Sequence, residues 1–266
     1  MSYKFGILGV GKMGSSILRG IIASGVFKKE DILLNLYTDE EVKTYGDEGF
    51  TYVKNDPKRV FELCDLTLLS VKPQVFPEVA KIADELDFNG KGIMSIMAGI
   101  TISSIEVHFK NAKIIRVMPN TPALIKKAVA TVCSKDISSI YYNQVFDILY
   151  SIGVAYPIEE SKMDESLALN GSMPAYLELF AKAFIDQAVK DGIDYETAKK
   201  LTCQSIISSA SLILKSDESI DQLITNVCSK GGTTIAGLEK LYEYKFEEAI
   251  YECSKACANR SRELSK

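Results

Sequence analysis

The sequence predicts an α/β chain in two parts: a largely parallel, doubly wound sheet with helices on both faces, then an all-helical domain. Three observations predict it. Short apolar runs alternate with helical stretches as far as Pro157, as in chains built from β-α-β units. A G-x-G-x-x-G turn joins the first apolar run to the first helix. No convincing strand follows Lys162.

Taken in order, Tyr3–Leu8 is an apolar run closed by Gly9, and residues 13–24 then show helical periodicity ending at Gly25. Residues 32–36 form a second run, followed by the polar stretch 37–41. A helix at 57–63 leads to a buried strand at 66–71, and a helix at 76–86 leads to 92–97. Residues 114–118 are a further strand ending at Pro119; 128–133 and 153–156 read as extended, with a helix at 138–151 between them. Beyond Pro157 helices dominate, at 176–190, 195–214 and 238–262. The division is placed so that residues 1–160 form the sheet domain and 161–266 the helical one. Leu, Ile, Tyr and Phe on more than one face of the helical part suggest that it packs against a second copy of itself, giving a homodimer or higher oligomer.

Composition narrows the function. The 266 residues are 47% hydrophobic with a formal net charge of -4, which gives no reason to expect nucleic acid. A phosphorylated ligand must then be held by oriented amides or a few placed cations. Six cysteines are scattered without a CxxC pair, and the single histidine, His108, completes no metal site with them, so no metal is expected. The opening residues run straight into a strand and no apolar run is long enough to span a bilayer, so a cytoplasmic protein without membrane contact is expected.

The chemistry sits at turns. In Gly9-Val10-Gly11-Lys12-Met13-Gly14, the first glycine permits the tight turn, the second lets backbone approach a pyrophosphate, and the third lets helix and strand pack closely. The string alone is a weak signal; its place between strand and helix favours dinucleotide binding over a plain turn. After the second strand stand Tyr37, Thr38 and Asp39, with no Arg. Thr38 can hydrogen-bond a phosphate, Lys43 can reach in, and Asp39 repels a phosphate if it faces the pocket, so the choice between NADH and NADPH stays open. Val71-Lys72-Pro73 and Met97-Ala98-Gly99 end two further strands, and Pro119-Asn120-Thr121-Pro122 ends a third. Lys72 reads equally well as a solvated surface lysine, and the two-proline turn as a mere connection. In the helical half, Ser229-Lys230-Gly231-Gly232-Thr233-Thr234 opens a helix with amides and hydroxyls suited to an anion, or else is a loop with a capping threonine. His108 lies outside every motif and is given a structural role.

These strings, GVGKMG, VKPQ, MAG, MPNTP, GSMPAY and SKGGTTIAGL in that order over the whole chain, resemble the pyrroline-5-carboxylate reductase family. The last is the most specific; the first is shared with many dehydrogenases. The resemblance implies a Rossmann domain followed by a helical dimerisation domain. The activity it implies is hydride transfer from NADPH, with NADH possible, to the imine of 1-pyrroline-5-carboxylate, giving L-proline. It implies that Gly9, Val10, Gly11, Lys12, Met13 and Gly14 hold the pyrophosphate, with Asn55 near the adenosine. Val71, Lys72, Pro73, Ala98, Gly99 and Asn120 would line the nicotinamide end, and Asn226 would reach the cofactor from the helical domain. It further implies that Ser229, Gly231, Gly232, Thr233 and Thr234 bind the substrate carboxylate and that Thr234 meets the ring nitrogen as the catalytic residue.

The chain departs from the family pattern at Asn170 for Ser, Met173 for Gly, Lys230 for Pro and Tyr37 for Arg. Two alternatives arise. One is a related imine or β-hydroxyacid reductase, for which Lys182 or Lys190 would be the catalytic lysine, though neither lies beside a glycine-rich string. The other is a non-catalytic dinucleotide-binding regulator, against which the retained Gly231, Gly232, Thr233 and Thr234 argue.

Overall fold

The computed structural model describes residues 2–264. Strand β1 (Tyr3–Leu8) is buried over its last four residues, and α1 (Lys12–Ser24) leaves directly from the turn behind it. There follow β2 (Ile32–Leu36), α2 (Asp39–Asp47), β3 (Thr51–Lys54), α3 (Pro57–Leu63), β4 (Cys64–Leu69) and α4 (Phe76–Ala83). Then come β5 (Gly92–Ser95), α5 (Ile102–Glu106), β6 (Lys113–Met118), β7 (Ala128–Ser134), α6 (Ile140–Tyr150) and β8 (Gly153–Pro157).

All eight strands join one sheet in the order β3-β2-β1-β4-β5-β6-β7-β8, parallel throughout except where β6 meets β7. The chain winds outward from β1 to β3, returns to lay β4 beside β1, and winds outward the other way. That reversal leaves a crevice at the carboxyl ends of β1 and β4, where open α/β sheets take their ligands.

Strand side chains alternate between faces, and here both faces are covered. Phe5, Ile7, Leu34, Leu68 and Val117 enter a core layer with Ile17 and Ile21 of α1, Tyr45 of α2 and Ile148 of α6. Leu8, Leu33, Leu69 and Met118 enter the opposite layer with Phe61 of α3, Val79 of α4 and Ile105 of α5. Burial on both sides is why the central strands read as continuous apolar runs. Each fully buried Leu, Ile or Phe contributes about 1.5–3 kcal/mol relative to exposure, so this interior dominates the stability of the sheet unit.

The apolar runs of the sequence give seven strands; β3 is the eighth. Three of its four residues are exposed, and it pairs with β2 from Leu33–Thr51 to Leu36–Lys54 by backbone register. An edge strand held by its backbone needs no apolar run. Helix α2 is polar for a similar reason, with three acidic residues in its first turn.

Two compact units result, Met1–Ser172 with Cys257–Lys266, and Met173–Ala256. The sheet unit thus runs on to Ser172, beyond the division at residue 160 that the change of pattern suggested. Packing explains the extension. Met163, in α7 (Met163–Ser166), is fully buried in the layer with α3 to α5, and Asn170 is bonded to Met118 at the end of β6 and to Thr131 in the middle of β7. The end of the chain returns to the same place, where Ser261 Oγ donates to Asp164 Oδ1 at 2.6 Å and Arg262 Nη2 to Glu165 Oε1 at 2.5 Å.

The second unit holds α8 (Met173–Lys190), α9 (Tyr195–Lys215), α10 (Ile220–Val227), α11 (Thr233–Glu243) and the first part of α12 (Phe246–Leu264). Asp194 caps α9 by accepting from Thr197 N at 3.0 Å. Periodicity over 238–262 reads as one helix, but the chain breaks between α11 and α12, where Lys245 takes a φ of 55°. Among the described residues no strand follows β8, and no helix is long and apolar enough to cross a membrane.

Candidate active site

Gly9 leaves β1 with a φ of 92°, a left-handed conformation open to glycine without strain. Directly after β4, Ser70 stitches the two strand tips together. Its N–H donates to Leu8 O at 3.0 Å and its Oγ to Leu8 O at 3.1 Å and to Gly9 O. A Cβ on Gly14 would stand 2.2 Å from Gly9 O and 2.7 Å from Ser70 Oγ, so α1 can rest on this turn only with glycine there. A Cβ on Gly11, by contrast, would meet nothing within 4 Å. Gly11 is the N-cap of α1 and offers no side-chain bond, so the amides of the first turn project unpaired from the positive end of the helix. Close packing beneath and open space above make a cradle whose free amides and helix dipole suit a pyrophosphate.

The other sequence-derived positions of the sheet unit stand along the same carboxyl edge. Val71 is half-buried and Lys72 exposed at the start of the turn after β4, where Val75 N donates to Lys72 O at 2.9 Å. Ala98 is exposed and Gly99 has a φ of 77° in the turn after β5. Asn55, with a φ of 53°, follows β3 and donates its N–H to Leu36 O at 3.0 Å. Val10 is buried, Met13 half-buried and Lys12 exposed around the cradle. Thr38 Oγ1 caps α2 by accepting from Glu41 N at 3.1 Å.

Asn120 follows β6, but its side chain is buried and engaged. Its Oδ1 accepts from Val129 N at 2.8 Å, and its Nδ2 donates to Asn170 O at 3.2 Å. Asn170 Nδ2 in turn donates to Met118 O at 2.9 Å and Thr131 Oγ1 at 3.2 Å. This gives the departure at residue 170 a physical reading: a serine hydroxyl has a single hydrogen to share, whereas the amide has one for each of the two acceptors. The network holds the Pro119-Asn120 turn in shape, so what Asn120 fixes is the backbone around it.

Other groups that invite chemistry are used elsewhere. His108 Nδ1 lies 3.0 Å from Asp84 Oδ1, beyond the ends of α4 and α5 and so at the sheet edge opposite the cradle. Burial pushes the Cys64 and Cys133 thiols up to about 12, which keeps both protonated at neutral pH. Sequence reasoning missed Ser70, Glu41 and the pairing of the buried Arg116 with the half-buried Glu160. For Ser70, the signal was a hydroxyl directly behind an apolar strand.

In the helical unit, Gly231 has a φ of 70° and Gly232 N donates to Ser229 O at 2.8 Å, closing a turn in front of α11. A Cβ on Gly232 would fall 2.9 Å from Ser229 O and 2.3 Å from Ser229 Oγ, so any side chain there would force the turn to shift. Gly232 caps α11 without a side-chain bond, and Thr233 and Thr234 begin the helix, which leaves amides and two hydroxyls at its positive end. Thr234 is half-buried and borders a hollow of about 260 Å³ with Leu223, Ile224, Val227 and Leu238. Asn226 is exposed on α10, where its Oδ1 accepts from Gln222 Nε2 at 2.8 Å and its Nδ2 donates to Glu218 Oε2 at 2.9 Å.

The doubly wound sheet with its glycine cradle defines the class: a dinucleotide-dependent oxidoreductase of Rossmann type. Comparison with known proteins agrees. Residues 160–264 match the family model for pyrroline-5-carboxylate reductase dimerisation, and residues 4–99 match that for NADP oxidoreductase, coenzyme F420-dependent. Pyrroline-5-carboxylate reductase 2 of Bacillus subtilis is 34% identical, covering 98% of this chain and 95% of that one. The Escherichia coli pyrroline-5-carboxylate reductase is 32% identical over the full length of both chains. Among solved structures, the Plasmodium falciparum pyrroline carboxylate reductase with NADP bound aligns with a TM-score of 0.88 at 30% identity, covering 99% and 98% of the two chains. The chain belongs to the pyrroline-5-carboxylate reductase family, and is accordingly an NAD(P)H-dependent oxidoreductase acting on a C=N bond, with a dinucleotide-binding domain and a C-terminal dimerisation domain.

Proposed function

We propose that the protein acts in the cytoplasm, reducing the imine of 1-pyrroline-5-carboxylate to L-proline with NADPH or NADH. The observation that carries the substrate assignment is the opening of α11, where the turn at Gly231 and Gly232 presents the first amides of the helix and the hydroxyls of Thr233 and Thr234 to a small carboxylate. The cradle of Gly9, Val10, Gly11, Lys12, Met13 and Gly14 holds the pyrophosphate. Thr38 and Asn55 stand at the adenosine end, and Val71, Lys72, Pro73, Ala98, Gly99 and Asn120 shape the nicotinamide end. When bound, the nicotinamide supplies a hydride; the protein supplies orientation and electrostatics. A cyclic imine can arrive already protonated, so no strong general acid is required. Thr234 Oγ1 accepts the iminium N–H and holds the ring in line, while Ser229 and Thr233 complete the carboxylate turn.

The helical unit supports a homodimer or higher oligomer. Its buried apolar residues are Ile185 and Ala198, whereas Leu179, Leu201, Ile207, Leu212 and Leu214 are each more than half exposed. Helices that bury so little alone need a partner surface. A groove of about 570 Å³ between α8 and α9, lined by Phe180, Phe184, Leu201 and Ile213, belongs to that surface.

An assay of pyrroline-5-carboxylate reduction with NADH and NADPH side by side, against a panel of 3-hydroxy acids, is the direct test. Turnover of a hydroxy acid and none of the imine overturns the proposal. Thr234→Ala is expected to lower kcat/KM about tenfold, roughly 1.4 kcal/mol of transition-state stabilisation. An unchanged value removes Thr234 from the reaction.

A further inference from the structure

The tip of β2 carries an arrangement that bears on which dinucleotide is taken. In a Rossmann sheet the adenosine ribose lies at this tip, and its 2′ substituent is read by the residues just beyond the strand. Here the first two amides after β2 already have an acceptor: Tyr37 N and Thr38 N donate to the same Glu41 oxygen at 2.8 and 3.1 Å. Glu41 N returns the bond to Thr38 Oγ1, a reciprocal cap that pins the carboxylate at the start of α2. Lys54, opposite Leu36 in register and so at the same tip, is paired with Asp39. Glu40 adds another carboxylate to this first turn, and Lys43 stands exposed one turn further on. Amides that would donate to a 2′-phosphate are therefore occupied by an anion, and the tip's lysine is neutralised.

Resting on the reading of this edge as a dinucleotide site, we infer that Glu41 is a cofactor-specificity residue. Its carboxylate stands where the extra phosphate of NADPH would gain its amide donors, and so it holds down the preference for NADPH over NADH. A ribose hydroxyl, in contrast, can donate to the same carboxylate, which favours the unphosphorylated cofactor.

Two variants separate charge from architecture. Glu41→Gln keeps an oxygen for the Tyr37 and Thr38 amides, so α2 stays capped, but removes the charge; Glu41→Ala removes both and frees the amides. Dissociation constants for NADPH and NADH are measured by titration on each purified protein, alongside kcat/KM with both. The ratio Kd(NADH)/Kd(NADPH) is expected to rise about tenfold in Glu41→Gln, the size of one charge acting on a phosphate near solvent. In Glu41→Ala it is expected to rise at least as far, with thermal unfolding showing whether α2 survives. A ratio within twofold of the parent in both variants overturns the inference. Failure of the parent protein to bind either nucleotide is a different result: it removes the dinucleotide reading, and the inference falls with it.

Discussion

Replacing Glu160 by alanine is expected to lower the free energy of unfolding by about 3 kcal/mol, read by urea titration of the dichroism signal. Arg116 lies inside β6 with its side chain 4% exposed, and its Nη1 donates to Glu160 Oε1 at 3.2 Å. Glu160 Oε1 also accepts from Ile102 N, the first residue of α5, at 2.7 Å. Arg116 Nε has no partner among the described residues, so this carboxylate is the guanidinium's main compensation. Without it a buried cation and a helix-start amide are both left unsatisfied, which costs far more than the pair contributes over an apolar substitute. Glu160 is 28% exposed, which places the loss at the lower end of the range for breaking buried pairs. Arg116→Met, which removes the charge and keeps much of the volume, is expected to cost only about 1 kcal/mol. The double variant should therefore be more stable than Glu160→Ala alone. A loss below about 1 kcal/mol in Glu160→Ala would show that solvent already screens the pair.

What was legible in the sequence divides along physical lines. Phe5, Ile7, Leu34 and Leu68 announce strands because burial on both faces demands apolar residues at every position. The glycine cradle and the 229–234 turn were legible because their geometry is local: a positive φ or a forbidden Cβ restricts the residue type wherever the turn lies. Strand β3 was not, since Thr51, Tyr52 and Lys54 bury little and the strand is set by pairing with β2. Helix α2 carried a sign, the Thr38-x-x-Glu41 capping box, that an apolar search passes over. Neither the Arg116–Glu160 pair nor the Asn120–Asn170 network had any sign at all. Those partners meet only once β6, β7 and the segment after β8 are packed together. The break at Lys245 is equally silent, because lysine gives no hint of a left-handed turn. Sequence thus disclosed the glycine turns and not the polar contacts that hold the neighbouring turns in place.

Gly14→Ala is expected to abolish measurable dinucleotide binding, with affinity for NADPH falling at least about 100-fold, or roughly 2.7 kcal/mol. The added methyl would lie 2.2 Å from Gly9 O, a backbone atom that cannot turn aside because Ser70 holds it. Helix α1 must then lift from the turn, and amides aimed at one point lose their common focus. The same clash is an overpacked contact costing about 1–3 kcal/mol, so the melting temperature should fall by roughly 5 °C. Gly11→Ala provides the contrast. Its Cβ meets nothing within 4 Å and its φ of -61° suits alanine, so unfolding should shift by no more than about 1 kcal/mol, the scale of an N-cap exchange. Yet that methyl projects into the space a pyrophosphate must occupy, and NADPH affinity should still drop about tenfold or more. Calorimetric titration together with thermal unfolding on both variants distinguishes a cradle from an ordinary tight turn. If Gly11→Ala binds NADPH as tightly as the parent, the open space above α1 holds no phosphate, and Gly14 is there only to let the helix pack.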